Sequence, residues 1–279
     1  MDANLQEQAD ATEAALHAAV QEIRGRTQLV PSVAVILGTG LGGLGAKLQD
    51  TVSIPYSDIP GFPQSTALSH AGCLLVGTLE SIPVVAMQGR FHMYEGYSID
   101  EIVLPVHVIQ ALGATTLVVS NASGGVNPQM AGGDILVMKD HINLMYQGND
   151  SVKPSIRTGR TSDPIYSPHL ISVALAAARQ SGFHAQQGIY VGFTGPNYET
   201  RAEYRLVRKI GGDVVGMSTV PEAITANQLG MQVLGLSVVT NVARPDAPAT
   251  VDAGEVVEVA GIAQPKMESI VRAVLRSLK

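Results

Sequence analysis

The densest chemistry in the chain lies in one short run, Gly89-Arg90-Phe91-His92-Met93-Tyr94-Glu95-Gly96-Tyr97, which places a fixed cation, an imidazole, a phenol and a carboxylate side by side. The planar fork of Arg90 matches a phosphate or carboxylate bidentately, which a lysine cannot copy. In an extended segment His92, two residues on, points to the same side and adds a second donor. The competing reading is a solvated loop in which Arg90 and Glu95 pair at the surface. The polar residues and glycines that bracket a buried strand end favour an oxyanion binder.

Other segments have the same character. Gly38-Thr39-Gly40-Leu41-Gly42-Gly43 fits the G-x-G-x-x-G pattern, but a dinucleotide site also needs an acidic residue about 20 positions on, at a strand end. Asp58 stands at that distance in Tyr56-Ser57-Asp58-Ile59-Pro60-Gly61-Phe62-Pro63, where two prolines indicate a loop. The more general reading is an anion nest of backbone N–H groups with the Thr39 hydroxyl. Asn121-Ala122-Ser123-Gly124-Gly125-Val126-Asn127 offers small residues that let the backbone approach a ligand closely. Gly195-Pro196-Asn197-Tyr198-Glu199-Thr200 places a ring and a carboxylate just before a helix, suited to a flat heterocycle whose N–H edge needs an acceptor. Glu199 serves equally as an acid at a helix start, favoured by the dipole. In Val215-Gly216-Met217-Ser218-Thr219-Val220-Pro221-Glu222, Ser218 or Thr219 is by default a helix cap. Thr240-Asn241 ends with an amide that donates and accepts at once.

These segments need elements to carry them. Apolar, β-branched runs at 33–37, 84–87, 116–120, 135–138 and 232–237 read as strands buried on both faces. Capping boxes at Ser98-x-x-Glu101 and Thr200-x-x-Glu203 open helices that end near Gly113 and Gly211, the first with a kink expected at Pro105. Ser167-Pro168 and Thr219-x-Pro221-Glu222 open two more, closing near Gly182 and Gly230. Residues 3–24 form an Ala-rich N-terminal helix, and Asp252-x-x-Glu255 starts a helical region expected to break at Pro265. Alternation of strand and helix indicates an α/β fold, a mixed central β-sheet flanked by helices, in one domain over 1–279 with 1–28 as a helical extension. Ligands of open α/β sheets collect at strand carboxyl ends, so the five polar strand ends read as one composite site.

Composition excludes several classes. With 18 Lys+Arg against 24 Asp+Glu, a formal charge of −6, the chain is too acidic for a polyanion binder, which argues against nucleic acid and anionic membranes as partners. The opening MDANLQEQAD lacks the basic and apolar regions of a signal peptide, and no apolar run reaches the length of a membrane span, so a cytoplasmic protein is expected. Cys73 is the one cysteine, and the seven histidines include no i, i+3 or i, i+4 pair, so no metal is expected. No G-x-S-x-G elbow supports a serine nucleophile. His107 reads as a packed or surface histidine, and Asp140-His141, after the 135–138 strand, as support for a neighbouring loop.

Taken in order, GTGLGGL (38–44), GRFHMYEGY (89–97), NASGGVN (121–127), DHINL (140–144), GPNYET (195–200), VGMSTVPE (215–222) and TN (240–241) resemble the trimeric, low-molecular-mass purine nucleoside phosphorylases over about residues 30–245. The resemblance implies reversible phosphorolysis of 6-oxopurine nucleosides to a free base and α-ribose 1-phosphate. It implies a homotrimer with inorganic phosphate as co-substrate and no other cofactor. Carried over residue by residue, Thr39, His70, Arg90, His92, Ala122 (through its backbone) and Ser218 hold phosphate, and Thr39 keeps the hydroxyl of the family's usual serine. Tyr94 and Met217 contact ribose, Tyr198 flanks the base, and Glu199 and Asn241 bind the purine edge; His92, Glu199 and Asn241 form the catalytic set. A methylthioadenosine-type phosphorylase is the nearest alternative in the same fold, with an NAD-dependent oxidoreductase and a non-catalytic binding module further off.

Two departures stand out. The stretch from Met145 to Thr161 lacks the family's Phe-bearing loop that reaches a neighbouring subunit. Ala253, in Asp252-Ala253-Gly254-Glu255-Val256, stands where relatives have a histidine contacting the ribose 5′-hydroxyl. A site that hydrogen-bonds a substrate hydroxyl rejects the analogue lacking it by about 10⁴-fold or more, whereas an apolar contact does not, so kcat/KM for 5′-deoxyinosine is expected within about 100-fold of that for inosine. A larger loss in steady-state kinetics refutes the assignment.

Overall fold

The computed structural model describes residues 3–39, 42–66, 70–145, 164–244 and 252–279. Six helices, α1 (Ala3–Arg26), α2 (Ile99–Ala111), α3 (Pro168–Gln180), α4 (Arg201–Ile210), α5 (Val220–Gln228) and α6 (Ala253–Ser277), flank nine strands. The strands are β1 (Val33–Leu37), β2 (Gln49–Pro55), β3 (Cys73–Leu79), β4 (Ile82–Gln88), β5 (Thr116–Gly125), β6 (Ile135–Leu144), β7 (Ala185–Phe193), β8 (Val214–Gly216) and β9 (Gln232–Val242). They form one mixed sheet in the order β2-β3-β4-β1-β5-β8-β7-β6-β9, and β9 pairs back onto β5, so the last five strands close on themselves. β1 is parallel to β4 and β5, while β3 is antiparallel to β2 and β4. No described helix is long and apolar enough to cross a membrane.

The core follows from the apolar runs. All five residues of β1 are buried, as a strand covered on both faces requires. Ala19 and Ile23 bring the second half of α1 onto the same core, where Arg24 donates to the Leu29 and Leu112 carbonyls at 3.0 and 2.6 Å. The capping boxes form as expected: Ser98 and Thr200 accept from the Glu101 and Glu203 N–H groups, and both glutamates reach back.

Two expectations are corrected. α6 continues through Pro265, because Gly261, whose carbonyl loses its partner there, lies on the exposed face and meets water. α2 contains Pro105, where a kink is expected, and runs unbroken from Ile99 to Ala111. β6 does not stop at Met138; an irregularity between Met138 and Asp140 lets the strand run on to Leu144, so Asp140 and His141 lie within it. His141 meets the Tyr166 hydroxyl at 3.0 Å.

Strand register positions the site. On β9 the pairing with β5 moves from Ser123↔Val239 to Gly124↔Asn241, so Thr240 is an extra residue. Such a bulge re-aims the side chain beside it, and here that side chain is Asn241.

Candidate active site

A cavity of about 190 Å³ opens where β1, β4, β5, β8 and β9 end. All eleven residues proposed from the sequence line it: Thr39, His70, Arg90, His92, Tyr94, Ala122, Tyr198, Glu199, Met217, Ser218 and Asn241. They fall into two halves of different chemistry.

The first half is built on Arg90, only 2% exposed. Its Nη1 donates to Thr219 Oγ1 at 2.9 Å, Glu222 Oε1 at 3.2 Å and Ser218 Oγ at 3.3 Å, and Nη2 donates to the Ser120 carbonyl. The surface pair between Arg90 and Glu95 therefore does not form; the partner is buried Glu222 on α5. Of the five guanidinium donors, those on Nε and one on Nη2 have no acceptor among the described residues and remain for an anion. Gly38 makes this packing possible, because a Cβ there would run into the Ser120 carbonyl and approach Arg90 Nη2 to 3.0 Å. Gly89, at φ +109°, does the same for His70, whose Cβ would lie 2.6 Å from an added methyl.

Three rings stand beside the guanidinium. His70 and His92 stack at 5.5 Å with planes 14° apart, and His92 and Tyr94 at 4.7 Å with planes 15° apart. His92 Nδ1 lies 2.7 Å from Glu95 Oε1, and Glu95 also accepts from the His92 and Thr66 N–H groups at 2.9 and 2.8 Å. Burial alone would raise the Glu95 carboxyl, but hydrogen bonds from His92 and Thr66 outweigh it and hold the pKa at about 2. An ionised carboxylate only accepts, so His92 carries its proton on Nδ1 and leaves Nε2 for the cavity. The Arg90 N–H finds its acceptor in His70 Nδ1 at 3.3 Å, and Ser65 Oγ donates to the Arg90 carbonyl at 3.0 Å. His70 Nδ1 also lies 3.2 Å from the Arg90 carbonyl and 3.0 Å from Ser65 Oγ, so these groups hold Nδ1. Burial, then electrostatic interaction with His92 and Arg90, lowers the His70 pKa from 6.5 to about 4, so it is neutral near pH 7.

The second half is less charged. Thr240 Oγ1 lies 3.2 Å from Asn241 Oδ1 and 3.2 Å from the Ser123 carbonyl, and the Asn241 amide lines the cavity with a group that both donates and accepts. Glu199, brought in by the capped start of α4, hydrogen-bonds with Tyr204 one turn along that helix. Burial raises the Glu199 pKa, and the Tyr204 bond offsets part of that. Tyr198, 52% exposed, stands at the rim. Sequence reasoning missed Tyr204 and Val256, which also line the cavity, and the Glu222 partnership. Tyr204 lies five positions after Glu199, near enough to one helical turn to have been found once α4 was placed. Glu222 and Arg90 are 132 positions apart and have no local signature.

Other expectations resolve as follows. The Gly38–Gly43 loop leads into a 3₁₀ turn, Gly42–Lys47, rather than an α-helix, and Asp58 pairs with Arg26 at 3.1 Å, away from the cavity. A dinucleotide site is therefore not built. His107 is outside the cavity, half-buried, with a pKa lowered by burial. Among the described residues no three His, Cys, Asp or Glu side chains converge to hold a metal. Residues 146–161 and the Ala253 side chain lie outside the described residues.

Comparison with known proteins follows this geometry. Residues 32–276 match the phosphorylase superfamily. Purine nucleoside phosphorylase 1 of Geobacillus stearothermophilus is 44% identical over 271 residues, 95% of this chain and 97% of the relative. The purine nucleoside phosphorylase of Schistosoma mansoni, solved with adenosine, superposes with TM-score 0.86 at 39% identity, covering 95% of this chain and 97% of the other. A Schistosoma purine nucleoside phosphorylase solved with guanosine gives TM-score 0.85 at 38% identity with the same coverage.

The His70 environment sets a pH dependence. Between about pH 6.5 and about 4 the unfolded chain binds a proton at residue 70 that the folded chain refuses, so stability rises with pH through that window and falls on acidification. Glu95 adds a further loss lower down, as pH falls from its ordinary 4.5 toward about 2. In urea unfolding without phosphate, His70→Gln is expected to flatten the upper window and leave the lower one. A slope between pH 6.5 and 4 unchanged in the variant contradicts the assignment.

Proposed function

The chain belongs to the purine nucleoside phosphorylases of the phosphorylase superfamily, pentosyltransferases acting on purine nucleosides, and from that premise we propose that the cavity holds phosphate in the Arg90 half and a 6-oxopurine nucleoside in the Asn241 half. The observation that carries this is the pairing of opposed recognition chemistries in one cavity. Unspent Arg90 donors lie on one side, and an amide donor with a carboxylate acceptor lies on the other. Phosphate is held by Arg90, His70, His92, the Thr39 and Ser218 hydroxyls and the Ala122 backbone. Tyr94 and Met217 pack on ribose, and Tyr198 covers the base. Residues 1–279 work as one domain, in a cytoplasmic homotrimer without a resident cofactor.

Glycosidic cleavage builds positive charge on the sugar and negative charge on the departing base. The C1′–N9 bond breaks with its electron pair going to the purine, and a phosphate oxygen forms the new bond to C1′. Phosphate is both the stabilising anion and the nucleophile, so no base is needed to activate it. His92, fixed through Glu95, holds the phosphate against C1′. Asn241 Nδ2–H donates where charge accumulates, at N7 and O6, and Glu199 accepts from N1–H. A 6-amino group would instead need an acceptor facing it, which is why the pair favours inosine and guanosine over adenosine. A 5′-modified nucleoside phosphorylase is the second reading, supported by Ala253 alone.

Incubation with inosine is expected to release hypoxanthine only when phosphate is present. Release without phosphate indicates a hydrolase, and binding without release indicates a non-catalytic module. Removing one preorganised donor of this kind costs about 2.7–4 kcal/mol in the barrier, so Asn241→Ala is expected to lower kcat on inosine about 100-fold or more. A fall below about threefold removes Asn241 from the catalytic set.

A further inference from the structure

Thr219 has a backbone that its side chain opposes. It sits at φ +74°, ψ −43°, and the Val220 N–H donates to the Ser218 carbonyl at 2.8 Å, closing a three-residue turn around it. A β-branched residue occupies this region only where the surroundings impose it. Ten of the fourteen described residues at positive φ are glycine, and the three others besides Thr219 (Asp50, Glu80 and Ser81) are not β-branched, so a turn alone would not call for threonine here. Nor does Thr219 act as a cap: although it holds the N-cap position of α5, its side chain makes no cap hydrogen bond. This corrects the expectation of an ordinary cap.

The hydroxyl is spent differently. Fully buried, Thr219 Oγ1 accepts from Arg90 Nη1 at 2.9 Å and from Asn121 Nδ2 at 2.7 Å. Asn121 is turned that way because its Oδ1 accepts from Ser237 Oγ at 2.6 Å. With both lone pairs filled, the Thr219 proton goes to Ser218 Oγ, 3.3 Å away. Ser218 Oγ also accepts from Arg90 Nη1, so its own proton is the one group left to face the cavity. The chain Ser237→Asn121→Thr219→Ser218 thus runs one way and ends in a donor.

We propose that Thr219 is a positioning residue for the phosphate co-substrate: its hydroxyl commits Ser218 to donate into the cavity and holds Arg90 Nη1, and the strained turn is retained to place that hydroxyl. The proposal rests on the phosphate reading above and adds a residue that does not itself touch the ligand. An acceptor-only anion is the ligand such a donor selects.

The test compares Thr219→Gly, Thr219→Val and Thr219→Ser by steady-state phosphorolysis with phosphate and inosine varied separately, alongside the thermal shift produced by inorganic phosphate. Thr219→Gly relieves the backbone and deletes the hydroxyl, so it stays informative where Thr219→Val fails to fold. A lost, charge-assisted hydrogen bond is worth about tenfold in binding, so the Gly and Val variants are expected to raise KM for phosphate about tenfold or more and to diminish the phosphate-induced shift. KM for inosine should stay within about twofold, and Thr219→Ser should return phosphate KM to within about threefold of the parent. A Gly variant with parental phosphate KM overturns the proposal, as does a parallel rise in both KM values or a Ser variant that rescues nothing. Absence of phosphate-dependent turnover in the parent chain overturns the phosphate reading itself.

Discussion

A buried guanidinium is the constraint around which this molecule is arranged. Taking Arg90 out of water costs several kcal/mol unless its charge and its donors are met. Glu222 meets the charge, and Thr219, Ser218 and the Ser120 carbonyl meet donors. These partners come from the middle of β5, the β8–α5 turn and the first turn of α5, so satisfying one side chain just past β4 ties together three sheet strands and a helix. The close approach in turn demands glycine at 38 and 89, where any side chain would collide with Ser120 or His70.

The two halves of the cavity solve different problems with the same device. In each, a buried neighbour takes one end of a side chain and so decides what the other end presents. Glu95 takes His92 Nδ1 in one half, and Tyr204 bonds Glu199 in the other. What remains for the ligand is a set of groups whose donor or acceptor character is already chosen. Preorganisation of this kind is where electrostatic stabilisation of a transition state comes from, since nothing has to reorient as charge develops.

Local signals were sufficient for much of this. Capping boxes, buried apolar runs and polar strand ends each depend on neighbours within a few residues, and they located β1, β4, β5 and the capped helices, while the eleven cavity residues as a set came from the family resemblance. What they missed depends on distant partners. β2 is largely exposed and polar, and the β3–β4 hairpin turns through Glu80 and Ser81 at positive φ without the usual glycine. The bulge at Thr240 exists only relative to β5, and the Asn121–Thr219 bond spans 98 positions. Thr219 illustrates the limit: the local pattern Ser-Thr-x-Pro-Glu reads as a cap, and the tertiary network overrides it. Pro265 shows the same from the other side, since breaking a helix depends on whether water can reach the carbonyl one turn earlier.

On the proposed reading, an acidic chain that binds phosphate is contradictory only if recognition is a matter of net charge. Here Glu222 cancels the formal charge of Arg90, and His70 is neutral near pH 7. The cavity therefore attracts an anion through directed dipoles and the unspent Arg90 donors more than through a positive field. That distinction bears on turnover. A strongly cationic pocket would bind phosphate and the sugar phosphate product alike, and uniform tight binding adds nothing to kcat. A balanced pair with fixed donors holds the anion by geometry, which changes as the phosphate oxygen moves from its own lattice of hydrogen bonds to C1′. On that reading the buried carboxylate beside the arginine, which costs stability when considered alone, offsets the charge that would otherwise hold the product tightly.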